Sequence, residues 1–173
     1  MSDLKNLLFQ TIIVFLPAYL ANGMPVILGK IKCLDFLKIP VDFGKKLKGK
    51  EIFGTHKTYF GFIVGIFAAI LVALLLNSGG LIEYSWLNGL LLGFGALFGD
   101  LIKSFFKRRF SIKSGEFFFP FDQVDFILGA WLIESIFYPI GWQILLMALI
   151  ITPLIHLIAN VIGYMLGLKK VWW

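Results

Sequence analysis

The fold is decided by residues 99–125, which read GDLIKSFFKRRFSIKSGEFFFPFDQVD, a polar stretch between two apolar segments. Five lysines and arginines and three aspartates (Asp100, Asp122 and Asp125) fall within these 27 residues. Only 15% of the chain is charged, so charge of both signs is concentrated here. We therefore interpret the apolar segments as a scaffold that presents this stretch.

Composition points to a membrane protein. The chain has 173 residues, 59% of them hydrophobic, with a mean hydropathy of +0.88, whereas roughly 45–50% is typical of soluble domains. The single cysteine, Cys33, excludes an internal disulfide and a cysteine metal cluster. A net charge of +6 suits a protein that works on phosphates or at an anionic lipid surface. Nucleic acid is not expected as a partner, because the basic residues are scattered over several loops.

Five segments approach the roughly 20 apolar residues that a membrane span requires. They cover about residues 7–28, 59–76, 81–102, 124–138 and 142–168. Residues 77–80 and 139–141 are rich in turn formers, so the second and third spans, and the fourth and fifth, should form helical hairpins. The predicted fold is all-α: a single domain, residues 1–173, of a polytopic membrane protein with five transmembrane helices.

The basic residues predict the orientation. In this topology fifteen of the sixteen lysines and arginines lie on one side of the membrane, and only Lys5 lies on the other. The positive-inside rule then places two long loops in the cytoplasm and the N-terminus outside. We expect a multi-pass protein of the cell membrane whose site faces the cytoplasm.

Small and polar residues within the spans predict how the helices pack. Pairs of glycines four residues apart, such as Gly95 and Gly99, allow close helix–helix approach. Glu134, His156 and Asn160 are polar groups inside apolar spans, where each one is costly. We interpret them first as packing groups, with an interhelical hydrogen bond for His156 and Asn160.

The three aspartates are candidate metal ligands. Asp100 closes the third span, and Asp122 and Asp125 share one face at the start of the fourth, so the loop between the spans allows them to meet. Carboxylates at one membrane face suit Mg²⁺. As an alternative, Asp122 is an N-cap with Asp125 in the first helical turn. Asp100 lies at the C-terminal end of a helix, where the helix dipole disfavours a negative charge. A metal ion or neighbouring cations would offset this cost, which favours the metal-site interpretation.

The cations of the stretch are candidate phosphate ligands, since arginine binds phosphate oxygens in pairs and lysine acts as a point charge. They are Lys103, Lys107, Arg108, Arg109 and Lys113. The alternative is that this basic run only sets the topology and touches lipid headgroups.

A second polar element reads GTHKTYFG, residues 54–61, at the start of the second span. Lys57, Thr58 and a helix N-terminus converge there, which makes an anion site plausible, although Thr58 would also serve as a simple N-cap. Asn22 and Pro25 lie at the same depth in the first span. The chain lacks a Ser/His/Asp set, an HExxH motif and a P-loop, so we favour phosphoryl or nucleotidyl transfer, which relies mainly on positioning and charge neutralisation.

These residues together resemble the phosphatidate cytidylyltransferase superfamily, and most closely its archaeal branch, the CDP-archaeol synthase family. The superfamily signature GD…S…KR…KD…PGHGG…DR.D is similar to Gly99-Asp100, Ser104, Lys107-Arg108, Lys113-Ser114, Pro120 and Asp122-Gln123-Val124-Asp125. Residues 54–61 are similar to its SPKKTWEG element, and Asn22 and Pro25 fit the Asn…Pro element of the archaeal branch. The chain departs from the signature at Ser114, at Gln123 and in lacking HGG, which points to the ether-lipid branch.

The resemblance implies a Mg²⁺-dependent transfer of CMP from CTP to 2,3-bis-O-(geranylgeranyl)-sn-glycerol 1-phosphate. CTP, an isoprenoid ether lipid phosphate and membrane lipids are the implied partners. Asp100, Asp122 and Asp125 are the implied metal ligands and, with Lys113, the catalytic residues. The implied substrate-binding residues are Asn22, Pro25, Gly54, Lys57, Thr58, Ser104, Lys107, Arg108 and Gln123.

Two alternatives remain at this point. A CDP-alcohol phosphotransferase would carry a DG..AR……G…D…D pattern, which the chain lacks. A transporter or channel for an anionic or phosphorylated solute would use the intramembrane residues Glu134, His156 and Asn160. The absence of two similar halves with broken helices speaks against this alternative.

Overall fold

The structure, a computed structural model, describes residues 2–29, 31–112, 116, 118 and 121–168. Within these ranges the chain forms five α-helices: α1 Ser2–Leu28, α2 Tyr59–Ser78, α3 Trp86–Arg109, α4 Phe121–Phe137 and α5 Trp142–Met165. A 3₁₀ helix covers Lys32–Leu37, and Lys46–Leu47 (β1) pairs with Lys50–Glu51 (β2) in an antiparallel hairpin. The predicted helical architecture is confirmed, and this hairpin is the departure from an all-α chain.

Four of the described helices, α1, α2, α3 and α5, are long and apolar enough to cross a membrane. The remaining helix, α4, has 17 residues and is therefore about 25 Å long. It runs antiparallel to α3 over the same depth, because its first turns lie beside Gly99 and Glu134 near its end bonds to Asn88. That α4 is a fifth span, and that the N-terminus lies outside, stay predictions.

The hydrophobic core lies where α1, α3 and α4 meet. Its largest fully buried apolar side chains include Phe15 of α1, Leu92 of α3, and Phe126 and Ile127 of α4. Burial is lowest in α5 among the four helices that can span a membrane, which leaves most of that helix to face lipid.

Glycines bring the backbones of α3 and α4 into direct contact. A Cβ at Gly95 would stand 2.6 Å from the Gly129 carbonyl oxygen, and a Cβ at Gly99 would stand 3.2 Å from the Gly129 Cα. The predicted close packing at Gly95 and Gly99 is thus confirmed. Its consequence is that the backbone of Asp125 lies against Gly99, next to Asp100.

The third helix begins later than predicted. The expected start near Leu81 is wrong, because α3 begins at Trp86 behind a capping box. The Ser85 hydroxyl accepts a hydrogen bond from the Leu87 N–H at 3.2 Å, and the Asn88 side chain accepts one from the Ser85 N–H at 2.8 Å. This local bonding outweighs the apolar character of the preceding residues.

The same helix also ends later than predicted. The sequence predicts a third span that ends near Ile102, with the basic run in a loop, whereas α3 continues to Arg109. Basic side chains in a last turn are favoured by the helix dipole, and Lys103 and Lys107 form ion pairs with α4. Residues 100, 103, 104 and 107 therefore share one helical face.

The long loop between α1 and α2 is tied to two helix ends. The Val41 N–H donates to the Lys57 carbonyl oxygen at 2.8 Å. The Arg109 guanidinium donates to the Leu47 carbonyl oxygen at 2.7 Å, and the Lys50 ammonium donates back to the Arg109 carbonyl oxygen at 3.2 Å. These bonds fix the loop over one end of the bundle.

Candidate functional site

Six charged side chains converge where α2, α3 and α4 meet. We refer to them as the acid–lysine cluster: Lys57, Asp100, Lys103, Lys107, Asp122 and Asp125. The Lys103 Nζ lies 3.0 Å from Asp100 Oδ1, 3.0 Å from Asp122 Oδ1 and 3.1 Å from Asp125 Oδ2. The structure thus gathers the three predicted aspartates around one ammonium group.

The other two lysines hold the outer sides of the cluster. Lys57, just before α2, bonds to Asp100. The Lys107 Nζ lies 3.1 Å and 3.0 Å from the two Asp122 carboxylate oxygens, and it also donates to the Glu116 carbonyl oxygen. The cluster contains three lysines and three aspartates, so its formal charges cancel. Attraction between these opposite charges offsets the desolvation cost of burying them in part.

Asp122 lies in the first turn of α4, outside the four helices that are long enough to span. Burial by itself raises the pKa of this carboxyl, but the charge of Lys103 and the bonds from Lys107 and the Phe118 N–H outweigh burial and lower the pKa below its usual value. The Phe118 N–H donates to Asp122 Oδ2 at 2.6 Å. The N-cap interpretation of Asp122 is wrong, because Asp122 is the second residue of α4 and its carboxylate accepts from an N–H upstream of the helix.

The donor types of the cluster fit the predicted Mg²⁺, because carboxylate oxygens are its preferred protein ligands. Among the described residues, the buried Asp125 Oδ2 has no hydrogen-bond partner and forms an ion pair with Lys103. Across the part of the chain that the structure describes, no three acidic, histidine or cysteine side chains are arranged as a metal site. In this structure Lys103 supplies the cation that the three aspartates share.

The cluster lines a cavity of about 740 Å³. Five of the nine predicted substrate-binding residues also line it: Asn22, Pro25, Lys57, Thr58 and Lys107. The Thr58 hydroxyl accepts a hydrogen bond from the Gly61 N–H at 3.2 Å, so the N-cap that was weighed for this residue is confirmed, and it coexists with a position in the cavity wall.

Other predicted site residues are not among the described residues that line this cavity. Ser104 is buried, and Gly54 has a φ of +94° and faces the Arg108 side chain. Arg108 donates to the Ile112 carbonyl oxygen at 2.6 Å, and Gln123 is likewise absent from the described lining. Lys113 lies outside the described residues. The substrate roles of these residues stay predictions.

The sequence places Lys103 among five candidate phosphate ligands but does not predict its contact with the three aspartates. The signal was its spacing of three from Asp100, which places both on one face only if the helix continues. His156 and Asn160 also line the cavity, and their spacing of four on one apolar helix was the available signal. By contrast, Arg109 binds loop carbonyl groups.

Comparisons with known proteins agree with the resemblance. The family model "CarS-like: CDP-archaeol synthase" matches residues 4–173. The chain is 40% identical over 184 residues to the CDP-archaeol synthase of Methanococcus maripaludis strain S2, covering 99% of each chain. It is 40% identical to that of Archaeoglobus fulgidus, covering 97% of this chain and 99% of the relative. A solved structure of an intramembrane enzyme for archaeal membrane lipids biosynthesis superposes with a TM-score of 0.76 at 32% identity, covering 86% of this chain and 91% of that one.

Proposed function

Because this chain belongs to the CDP-archaeol synthase family, we propose that it transfers the CMP group of CTP to 2,3-bis-O-(geranylgeranyl)-sn-glycerol 1-phosphate. The products are the CDP-activated ether lipid and pyrophosphate. One observation supports this proposal most: the acid–lysine cluster lines a cavity whose walls come from both a connecting loop and apolar helices. Such a cavity suits one ionic and one lipidic substrate.

The reaction requires little proton transfer. An oxygen of the lipid phosphate attacks the α-phosphorus of CTP; the new O–Pα bond forms while the bond from Pα to the oxygen bridging to Pβ breaks, and pyrophosphate leaves. A phosphate monoester has a second pKa of about 6, so the nucleophile is already ionised at neutral pH. The protein must therefore align two anions and neutralise their charge.

The lysines of the cluster supply that neutralisation. Each ammonium group has three donors, so Lys57, Lys103 and Lys107 are able to bind phosphate oxygens in exchange for aspartate oxygens. Asp100, Asp122 and Asp125 are the residues that would hold Mg²⁺. When bound there, the ion supplies further positive charge next to the phosphates.

The location of the cluster suggests how each substrate arrives. The basic residues predict that this end of the bundle faces the cytoplasm, from which CTP enters past the loop residues. The isoprenoid chains of the lipid enter from the side, between helices, and the phosphate reaches the cluster at the membrane surface.

The test is an assay of the purified full-length protein in detergent with labelled CTP, Mg²⁺ and the lipid phosphate. We expect a CDP-lipid product, and a loss of roughly 10²–10³-fold in rate for Asp122→Asn and Asp125→Asn, similar to the loss of one charge-stabilising group elsewhere. Asp3→Asn, on an exposed residue at the start of α1, is the matched control and should keep full activity. The proposal fails if no CDP-lipid forms, or if both cluster variants retain wild-type rates.

A further inference from the structure

A layer of side chains that joins α1, α4 and α5 lies about one helical turn deeper in the bundle than polar residues that line the cavity. The Tyr19 hydroxyl and the Thr152 Oγ1 are 2.6 Å apart and join α1 to α5. The Tyr19 ring meets the buried Phe126 ring edge-on, with centroids 5.6 Å apart. Thr152 is fully buried, and neither Tyr19 nor Thr152 is among the described residues that line the cavity.

Three polar side chains lie between this layer and the acid–lysine cluster, and we refer to Asn22, His156 and Asn160 as the polar band. Asn22 follows Tyr19 by three residues, and His156 follows Thr152 by four, so each stands one turn nearer the cluster. All three line the cavity. The Asn160 Nδ2 and the His156 Nδ1 are 3.4 Å apart, and the His156 ring centroid lies 6.3 Å from that of Phe126.

The position of the polar band in a spanning helix calls for a function. Polar residues inside membrane helices are costly, and they typically face a cavity or a substrate path. His156 lies nine residues before the end of α5 at Met165, or about 13 Å along the helix axis. By comparison, Thr55, His56 and Glu116 line the cavity from connecting segments.

We propose that the polar band binds the phosphoglycerol end of the ether lipid, while CTP occupies the loop side of the cavity. The proposal rests on the proposed function. A dialkylglycerol phosphate offers only acceptors, namely phosphate and ether oxygens, and the amide and imidazole N–H groups are donors. A substrate whose chains remain in the membrane reaches this depth, whereas a soluble nucleotide enters from the loops.

The first test separates the two substrates kinetically with His156→Phe and Asn160→Leu, which are both compatible with an apolar helix. We expect KM for the lipid phosphate, varied as its mole fraction in mixed micelles, to rise about tenfold, the equivalent of about 1.4 kcal/mol. KM for CTP should stay within about twofold, and His156→Gln, which keeps a donor, should recover part of the loss. Glu134→Gln, at a buried polar residue outside the described cavity lining, should change neither constant.

The second test measures equilibrium binding of the lipid phosphate to the full-length protein without CTP, so that turnover is not involved. We expect His156→Phe and Asn160→Leu to weaken this binding by a similar factor and to leave CTP binding unchanged. A rise confined to KM for CTP, or unchanged lipid binding in correctly folded variants, would overturn the assignment. If the wild type forms no CDP-lipid, the proposed function is refuted. The lipid-binding measurement still tests separately whether the polar band binds the lipid phosphate.

Discussion

The α3–α4 pair buries acids at both of its ends, in two different settings. At one end the acid–lysine cluster places three aspartates among three lysines and lines the cavity. At the other end Glu134, only 1% exposed, accepts a 2.8 Å hydrogen bond from the Asn88 amide. Asn88 also caps α3, so it serves local structure, and neither residue is part of the described cavity wall.

Burial of a carboxylate therefore does not by itself mark a functional site. Ammonium groups beside a cavity are able to turn from a carboxylate to an incoming phosphate, whereas the Asn88 amide already bonds within its own helix and to Glu134. The packing interpretation of Glu134 agrees with its hydrogen bond. The acid–lysine cluster differs from the Asn88–Glu134 pair in two ways: its acids have charged partners, and it lines a cavity.

Among three further variants along the α3–α4 pair, the largest effect should come from Lys103→Met, which removes the cation that the three aspartates share. The carboxylates then repel one another and lose a group that neutralises phosphate, so we expect about a 100-fold loss of rate and a lower melting temperature. Rates of CDP-lipid formation and thermal unfolding in detergent measure both effects. Lys45→Met, with the same change of charge on an exposed loop residue, is the control. Wild-type activity in Lys103→Met would mean that the cluster is no more functional than the Asn88–Glu134 pair.

A smaller effect should follow from Gly129→Ala, which perturbs the helix contact between the two ends. The new methyl group would lie within 3 Å of the backbone of Gly99, and overpacking of this kind costs typically 1–3 kcal/mol. Because Asp125 lies one turn away, we expect activity to fall together with the free energy of unfolding. Gly23→Ala, where a Cβ meets no atom within 4 Å, should be neutral or slightly stabilising. Equal stability of the two variants would contradict the observed contact.

The smallest effect should come from Glu134→Gln, because glutamine still accepts the hydrogen bond from Asn88 and no lysine in the described part of the chain forms an ion pair with Glu134. We expect activity within about twofold of wild type and a change in unfolding free energy below about 1 kcal/mol, in line with a neutral replacement of a hydrogen-bonded group. The same rate assay and melting experiment apply. A loss similar to that of Asp122→Asn would show that both ends of the α3–α4 pair serve catalysis.

Much of the fold and part of the site were predictable because they depend on local pattern. Apolar length located the five helices, and glycine spacing located the α3–α4 contact. The starts of α2 and α5, at Tyr59 and Trp142, agree with the sequence, since turn formers precede both. Family membership also identifies the chain as an enzyme, which decides against the transporter that the intramembrane polar residues had left open.

The amino-acid pattern was enough to predict a helical membrane protein of the CDP-archaeol synthase family, with acids and bases concentrated at the ends of two spans. The folded arrangement was needed to show that α3 continues to Arg109, that Lys103 lies among the three aspartates, and that Arg109 binds the loop. The physical reason is that these arrangements depend on partners distant in the chain: Lys103 meets Asp122 across two helices, and Arg109 meets Leu47 across the loop. Residue spacing predicts a helical face, whereas the ion pairs that stabilise the end of that helix arise only when α3 and α4 pack.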